Sequence, residues 1–568
     1  MSEAGSGEDE SEELLAMSGL FRHPFRDRMS ADFGQSFGPY DDRALPANER
    51  NMCALSATLR AKPDWWVKIQ DKDIRARWKA EATGAPVPYG NIPLKEDEVE
   101  YVLDELVWYA SRRVEENGIE ASIFQRIWQS DALVSDSLRS GLLQVARRLE
   151  DVPADKQDWH PRADGQVLDL VHPSLYCIVY STTVAIDRDD EIEPRPPGVD
   201  VELVDPYAAD SMFMSDKFSW LPTDFAISED GGTAKALAYI NNLHPAMHAE
   251  AYPVIEALVA CFVPLWERVL AESRAGFEMR RLAEDHYYWQ ELTEPSHSGE
   301  SDGEDDEAPI PRILHLPSAK IPFEPHAEPK PVNLKGRTLQ VIVKLADIVL
   351  TPEKPQYPGG SWHVEGMVNE GIVASGIYYY DEENITESAL AFRMGVSEPG
   401  YENGDDEGMD LVYKLAREGP LVQYIGSVAT KQGRCIAFPN VYQHQVQPFE
   451  LVDKSRSGHR KIVALFLVDP ALPYPRPSTS DIPPQQKDWI KMALQEAATD
   501  LRGSHPAAAK GLGKLPVEVI DMIVDQADWL MSRKDAEAVR LELMDERSVM
   551  TDSNNENMFE TMFCMCEH

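Results

Sequence analysis

The sequence predicts an α+β protein: a double-stranded β-helix (jelly-roll) core between a large helical N-terminal region and a helical C-terminal region. Three observations predict it. Strand-like runs gather in one part of the chain, as "RTLQVIVKLADIVL" (337–350), "IVASGIYYY" (372–380), "GRCIAFPNVYQHQVQPFEL" (433–451) and "RKIVALFLVDP" (460–470), split by Pro, Gly and Asp turns. Helical spacing dominates before them and returns from about 483. Between the first helical region and the strands lies "ELTEPSHSGESDGEDDEAPIPR" (291–312), rich in acid, Ser, Gly and Pro.

In chain order, residues 1–18 are charged, lack aromatics, and read as a disordered acidic N-terminus. Residues 19–290 read as mostly helical. "DEVEYVLDELVWYASRRVEE" (97–116) sets Val99, Val102, Leu103, Leu106 and Ala110 on one face. "VSDSLRSGLLQVARRLEDV" and "YPVIEALVACFVPLWERVLAESRAGFEMRRL" behave alike, and "SLYCIVYSTTVAI" (174–186) reads as a strand. Residues 291–312 form a solvated linker or insertion loop, and 313–475 the jelly-roll domain. Residues 476–548 are helical again, and 549–568 a polar, flexible tail.

Length and charge bound the function. A chain of 568 residues is too long for one core and suggests about three to four units. A net charge of −42 repels phosphate backbones and anionic membranes, and no Lys/Arg block offsets it, so no nucleic-acid partner is expected. The start "MSEAGSGEDESEE" has no positive or apolar region of a secretory signal. The most apolar stretch, "VIEALVACFVPLW" (254–266), is too short to span a bilayer and holds Glu256 and Pro264. The expectation is a soluble intracellular protein, cytoplasmic or nuclear, with no membrane partner. Six scattered cysteines fit reduced thiols, and Cys564-x-Cys566 alone is weak evidence for a metal.

The chemistry concentrates in "GGSWHVEGMVNEGIVASGIYYYDEE" (359–383). His363 and Glu365 are one residue apart, so on a strand both side chains would share a face. His444 lies in a second strand-like run. Two histidines and one carboxylate are the donor set of a facial triad that holds non-haem Fe(II) with open positions for a co-substrate and oxygen. Zinc would favour a tetrahedral site and a hydrolytic role.

Beyond the triad, "SGHRKIVALFLVDP" places Gly458-x-Arg460 at the start of a strand after His444. This arrangement resembles the 2-oxoglutarate/Fe(II)-dependent oxygenases over residues 337–470. The resemblance implies that His363, Glu365 and His444 bind Fe(II) and that Arg460 pairs with the distal carboxylate of 2-oxoglutarate. A guanidinium binds a carboxylate bidentately. In prolyl-hydroxylase-like members a strand tyrosine assists, which points to Tyr379. Tyr378 and Tyr380 face the other way on a regular strand, so register decides between them. The implied activity is oxidation of an unknown substrate, small molecule or protein side chain, with decarboxylation of 2-oxoglutarate to succinate. Two departures stand out: Glu365 occupies a position where most members carry Asp, and the loop from His444 to Arg460 is longer than usual. A wider resemblance rests on "PDWWVKI", "DWHPRADGQVLDLVHPSLY", "YINNLHP", "TPEKPQYPGGSWHVEGMVNE" and "YYYDEENITES". Together these resemble a family of large uncharacterised fungal proteins, a domain of unknown function.

Other readings stand beside these. In a catalytically inactive jelly-roll scaffold the three ligands would merely satisfy one another, and in a cupin-like metalloenzyme no carboxylate pocket would surround Arg460. Trp362 could wall off the pocket, and Asn369 and Gln443 sit on turn or strand surfaces. His160 and His172 either serve structure or line the catalytic mouth. His244 and His248, spaced i, i+4, read as a helix N-terminal turn because Pro245 follows the first. "LPVEVIDMI" (515–523) reads as a plain amphipathic helix.

Overall fold

The computed structural model of the chain describes residues 21–24, 42–180, 182–186, 192–194, 213–274, 277–284, 286–291, 312–402, 404–472, 477–499 and 516–564. The expected disordered segment 1–18 and nearly all of 291–312 lie outside the described residues. The fold mixes helices with antiparallel sheets.

The first helices form a cluster of their own. Helices α1 (Ala47–Arg60), α2 (Lys72–Ala82) and α3 (Glu96–Arg112) enclose Trp65, Trp78, Val99, Val102, Leu103 and Leu106. Acidic residues fill the first turn of α3 and Arg112 closes it, which suits the helix dipole. The Glu98 side chain accepts from the Lys95 amide at 2.8 Å and satisfies one of the free donors at that end. Helix α4 (Asp136–Glu150) starts at Ser135, whose hydroxyl accepts from the Leu138 amide. Helix α5 (Ala251–Glu272) is apolar almost all round and buried, and it packs against the outer face of the main sheet.

That sheet contains β1 (Glu120–Ala121), β2 (Trp128–Ser130), β3 (Val167–Val171), β4 (Thr223–Ile227), β5 (Ala234–Ala236), β6 (Thr338–Leu350), β8 (Ile372–Glu383), β11 (Cys435–Pro439) and β14 (Gly458–Val468). A short β7 (Gln356–Tyr357) pairs with β13 (Phe449–Glu450), and a second sheet holds β9 (Ala389–Gly395), β10 (Val422–Ala429) and β12 (Gln443–Val446). The order in the main sheet is β1-β2-β11-β8-β14-β6-β4-β5, with β3 also on β6. Strands from residues 120–236 therefore complete a sheet built on 338–468. The expected division between 19–290 and 313–475 is crossed by backbone hydrogen bonds, because the edges of β6 and β11 find their partners in the earlier region. The predicted strand 174–186 is present as two short pieces, Ile178–Val179 and Val184–Ile186.

Alternation sorts the sheet's two faces. Val341, Val343 and Leu345 of β6, Tyr378 and Tyr380 of β8, and Val463 and Leu465 of β14 join α5 in one cluster. Ile342, Ile377, Tyr379, Ala464 and Phe466 turn inward, into a cluster shared with Phe392 of β9, Val428 of β10 and Phe438 of β11. The space between the two sheets is thus lined from both sides.

The C-terminal region is helical, with α6 (Asp406–Tyr413) earlier and then α7 (Lys487–Thr499), α8 (Val517–Gln526) and α9 (Arg533–Asn554). The expectation of a flexible tail from 549 is corrected. Met558, Phe559 and Phe563 are buried in the inner cluster, the Phe563 amide donates to the Gly419 carbonyl, and the Leu421 amide donates to the Thr561 carbonyl. Three large apolar side chains in a polar segment anchor it to the core. Among the described residues no helix is long and apolar enough to cross a membrane.

Candidate metal centre

His363 and Glu365 do not stand on a regular strand, which corrects the expected placement. They lie in the turn-rich connection from β7 to β8, where Gly359 (φ +95°) and Gly366 (φ +70°) reverse the chain. Pairing replaces strand alternation. The His363 amide donates to the His444 carbonyl (3.2 Å) and the His444 amide donates to the His363 carbonyl (3.0 Å), an isolated antiparallel bridge onto β12. Their rings lie 4.3 Å apart between centroids.

One nitrogen from each histidine and one Glu365 oxygen fall within 4.8 Å of one another. Nε2 of His363 is 3.7 Å and Nε2 of His444 is 3.4 Å from Oε1 of Glu365. Metal bonds of about 2.1 Å at right angles set donor atoms about 3 Å apart, so this spacing fits a shared cation closely. The Nδ1 of His363 lies 2.9 Å from the Ser361 carbonyl, which accepts its proton and leaves Nε2 with its lone pair free. Burial pushes the Glu365 carboxyl up, but the two facing imidazoles more than offset this and hold it well below the usual carboxylate range. Burial lowers His444, and the adjacent His363 adds to that. Burial also lowers His363, yet Glu365 outweighs it and raises the net value. The group is an ionised carboxylate between two imidazoles, the donor set a divalent first-row metal takes.

Asn440 fixes this geometry and was not legible in the sequence. Its side chain accepts from the Glu365 amide (2.8 Å) and donates to the Glu365 carbonyl (2.8 Å) and the Ile372 carbonyl (3.0 Å). Glu370 steadies the same loop by accepting from the amides of Met367 and Trp220 and pairing with Arg547 of α9.

Arg460 and Tyr379 point into the same inter-sheet space. Arg460 sits on β14 opposite Ile348 and is 1% exposed. Its Nη1 donates to the hydroxyls of Ser388 (3.0 Å) and Thr430 (3.2 Å), its Nε has no hydrogen-bond partner, and no carboxylate forms an ion pair with it among the described residues. Its Cζ stands 5.6 Å from the Tyr379 ring and 4.7 Å from the Phe449 ring. Burial lowers the proton affinity of Arg460 and raises the Tyr379 hydroxyl to about 12. Tyr378 and Tyr380 face α5 instead.

The remaining candidates fall elsewhere. Trp362 packs edge-on against Tyr424 and under Arg393. Gln443 bonds Arg393 and Asn555, and Asn369 clasps Ser215 and Tyr180. His244 accepts from the Ala246 and Met247 amides and packs edge-on against Trp489, and His248 accepts from the His244 amide, so this pair closes a helical turn. His160 and His172 converge with Asp169 into a second trio. There the Nδ1 of His160 and Oδ2 of Asp169 are 2.7 Å apart, Arg540 stands 3.8 Å from that oxygen, and the Nδ1 of His172 accepts from the Ser174 amide. An open cleft of about 440 Å³ beside Tyr101 and Phe323 contains none of these residues.

Solved structures give little further. An Fe(II)/(alpha)ketoglutarate-dependent dioxygenase, TqaL, is 9% identical, covers 59% of this chain and 90% of its own, with a TM-score of 0.21. An IDO from Bacillus thuringiensis is 12% identical and covers 24% of this chain and 48% of its own, with a TM-score of 0.16. A bsmA homolog from Methylobium petroleophilum PM1 is 10% identical and covers 23% of this chain and 42% of its own, with a TM-score of 0.14. The chain thus spans under half the length of the latter two, and superpositions this poor carry no argument. None of the curated proteins matches. Family models match far more of the chain: one described as the N-terminal domain of unknown function DUF4246 covers residues 7–81, and another covers 96–493, a span that includes α3, the main sheet and the whole candidate centre. With that much of its length matched, the chain belongs to the family described as protein of unknown function DUF4246.

Proposed function

We propose that this protein is a 2-oxoglutarate/Fe(II)-dependent dioxygenase on a double-stranded β-helix core. The observation that carries this reading is Arg460, a fully buried guanidinium with hydroxyl partners and no ion pair among the described residues, facing the same inter-sheet space as His363, Glu365 and His444. A buried unpaired charge is costly, so its retention fits an anion that the protein itself does not supply. The carboxylate of a 2-oxo acid is such an anion.

The donor set suits iron, and each residue then has a task. His363, Glu365 and His444 would hold the ion on one side and leave the rest open. Arg460, with Ser388 and Thr430, would orient 2-oxoglutarate, and Tyr379 would shield that carboxylate from water. When bound, iron and 2-oxoglutarate supply the oxidation of a substrate C–H bond by dioxygen as the 2-oxo acid is decarboxylated to succinate. The Ser361 carbonyl keeps the proton on Nδ1 of His363, and Asn440 keeps the Glu365 backbone in place.

Anaerobic titration with Fe(II) and 2-oxoglutarate tests this. The expected result is a weak visible charge-transfer band that His363→Ala abolishes and Arg460→Ala weakens. Neither band nor bound metal would leave an inactive scaffold, and bound metal without a band would favour a cupin-like enzyme.

A further inference from the structure

We propose that α9 is a splint across the metal centre, with Arg547 and Asn555 as positioning residues where it grips the two ligand segments; this rests on the metal-centre reading above. No single strand carries the three donors. His363 and Glu365 stand in the turn-rich connection before β8, and His444 stands on β12, a strand of 4 residues in the second sheet. Nε2 of His363 and Nε2 of His444 lie 3.7 Å and 3.4 Å from Oε1 of Glu365, and a bound ion would draw such donors to about 3 Å. How tightly the centre binds therefore depends on what backs the two segments.

Helix α9 backs both. Leu543 and Met550 seat it in the inner cluster, and Arg547 lies between them on the same helical face. Arg547 pairs with Glu370, which follows Glu365 in the ligand loop, is buried, and also accepts from the amides of Met367 (2.6 Å) and Trp220 (2.8 Å). The Arg547 guanidinium is itself fixed over the Trp220 ring, 3.9 Å from its centroid. The preceding Glu546 accepts from the Ser215 hydroxyl (3.0 Å). Ser215 in turn holds Asn369, its amide donating to Oδ1 (2.7 Å) and its carbonyl accepting from Nδ2 (2.8 Å). At the other end Asn555, the C-cap residue about 12 Å further along the axis, accepts from Nε2 of Gln443 at 2.7 Å. Gln443 is buried and immediately precedes His444. One helix seated in the core thus reaches from the Glu365 loop to the His444 strand.

The test is Co(II) titration, read by visible absorption, of the full-length wild type, Arg547→Met, Asn555→Ala, the double variant and Arg533→Met. Arg533 pairs with Asp158 and Glu537 at the start of α9 and serves as the control for lost stability. We expect Arg547→Met and Asn555→Ala each to bind Co(II) about tenfold more weakly, the low end of what outer partners of metal ligands contribute. The absorption bands of the bound ion should also change in position or intensity, because they report donor geometry. Arg533→Met should match the wild type in both. A splint fails when either end is freed, so the double variant should also lose about tenfold, where two independent supports would lose about a hundredfold. Unchanged binding in Arg547→Met or Asn555→Ala, an equal loss in Arg533→Met, or an additive double variant would overturn the proposal and leave the metal centre standing. Asn555→Ala strands no charge, so its comparison with Arg533→Met decides the matter if Arg547→Met does not fold. A wild type that binds no Co(II) would overturn the metal centre itself, and the splint with it.

Discussion

Asn440 grips Glu365 by its backbone on both sides, accepting from its amide and donating to its carbonyl, each at 2.8 Å. Asn440 is fully buried and also holds the Ile372 carbonyl at 3.0 Å, so it ties the ligand loop to the first residue of β8. The carboxylate is thus placed by a side chain that never touches the metal position. Asn440→Ala should weaken binding of Co(II), an Fe(II) surrogate, by about 10- to 100-fold. The variant should keep its helical circular-dichroism signal, and an unchanged Co(II) affinity would show that the loop holds itself.

Glu105 of α3 gives a pH-dependent stability. It is buried, 3.0 Å from Arg281 and 2.7 Å from His326. Burial raises its carboxyl, but Arg281 and His326 more than compensate and bring it down to about 2. A lowered folded pKa means stability present above the ordinary value of about 4.5 and lost as pH falls from there toward 2. The contribution at neutral pH is on the order of 3 kcal/mol. Glu105→Gln should cost roughly that amount at pH 7, and urea unfolding should show the gap to wild type closing at pH 3.

Glu272, at the end of α5, behaves in the opposite sense. Burial lifts its carboxyl to about 7, although it accepts from the Arg126 amide. A raised folded pKa favours the folded state below about 4.5, and that advantage is lost as pH rises through 7. Glu272→Gln keeps the acceptor and should be more stable than wild type at pH 8, with no gain at pH 4. Equal melting temperatures at both pH values would contradict this.

Gly376 of β8 lies under Phe262 of α5, and a Cβ there would meet that ring at 2.5 Å. Gly376→Ala should destabilise by about 1–3 kcal/mol through overpacking. Pairing it with Phe262→Leu should recover part of the loss, a coupling that a double-mutant cycle reads directly.

Phe559 tests the packed C-terminal segment. It is fully buried in the inner cluster. Phe559→Ala should cost about 3–5 kcal/mol in global stability. A flexible tail would give no change in the denaturation midpoint.

Much of this protein was legible in its sequence. The spacing of Val99, Val102, Leu103 and Leu106 marked α3, and the β-branched runs marked β6, β8, β11 and β14, because burial on one face imposes a period that any reader can count. His363, Glu365 and His444 could be picked out by their donor chemistry, whereas Arg460 and Tyr379 came from the family resemblance, and only the register in the folded sheet put Tyr379, not Tyr378 or Tyr380, on the inner face. Only the tertiary structure decided what depends on residues far apart in the chain. It showed that β3 and β4 complete the sheet from beyond residues 291–312, that His363 meets His444 through a bridge and not along a strand, and that Phe559 returns to the core. It also turned Asn440 toward Glu365. Period and composition report how one segment meets a generic apolar interior. Which two segments meet is set by the packing of the whole chain, and no local pattern encodes it.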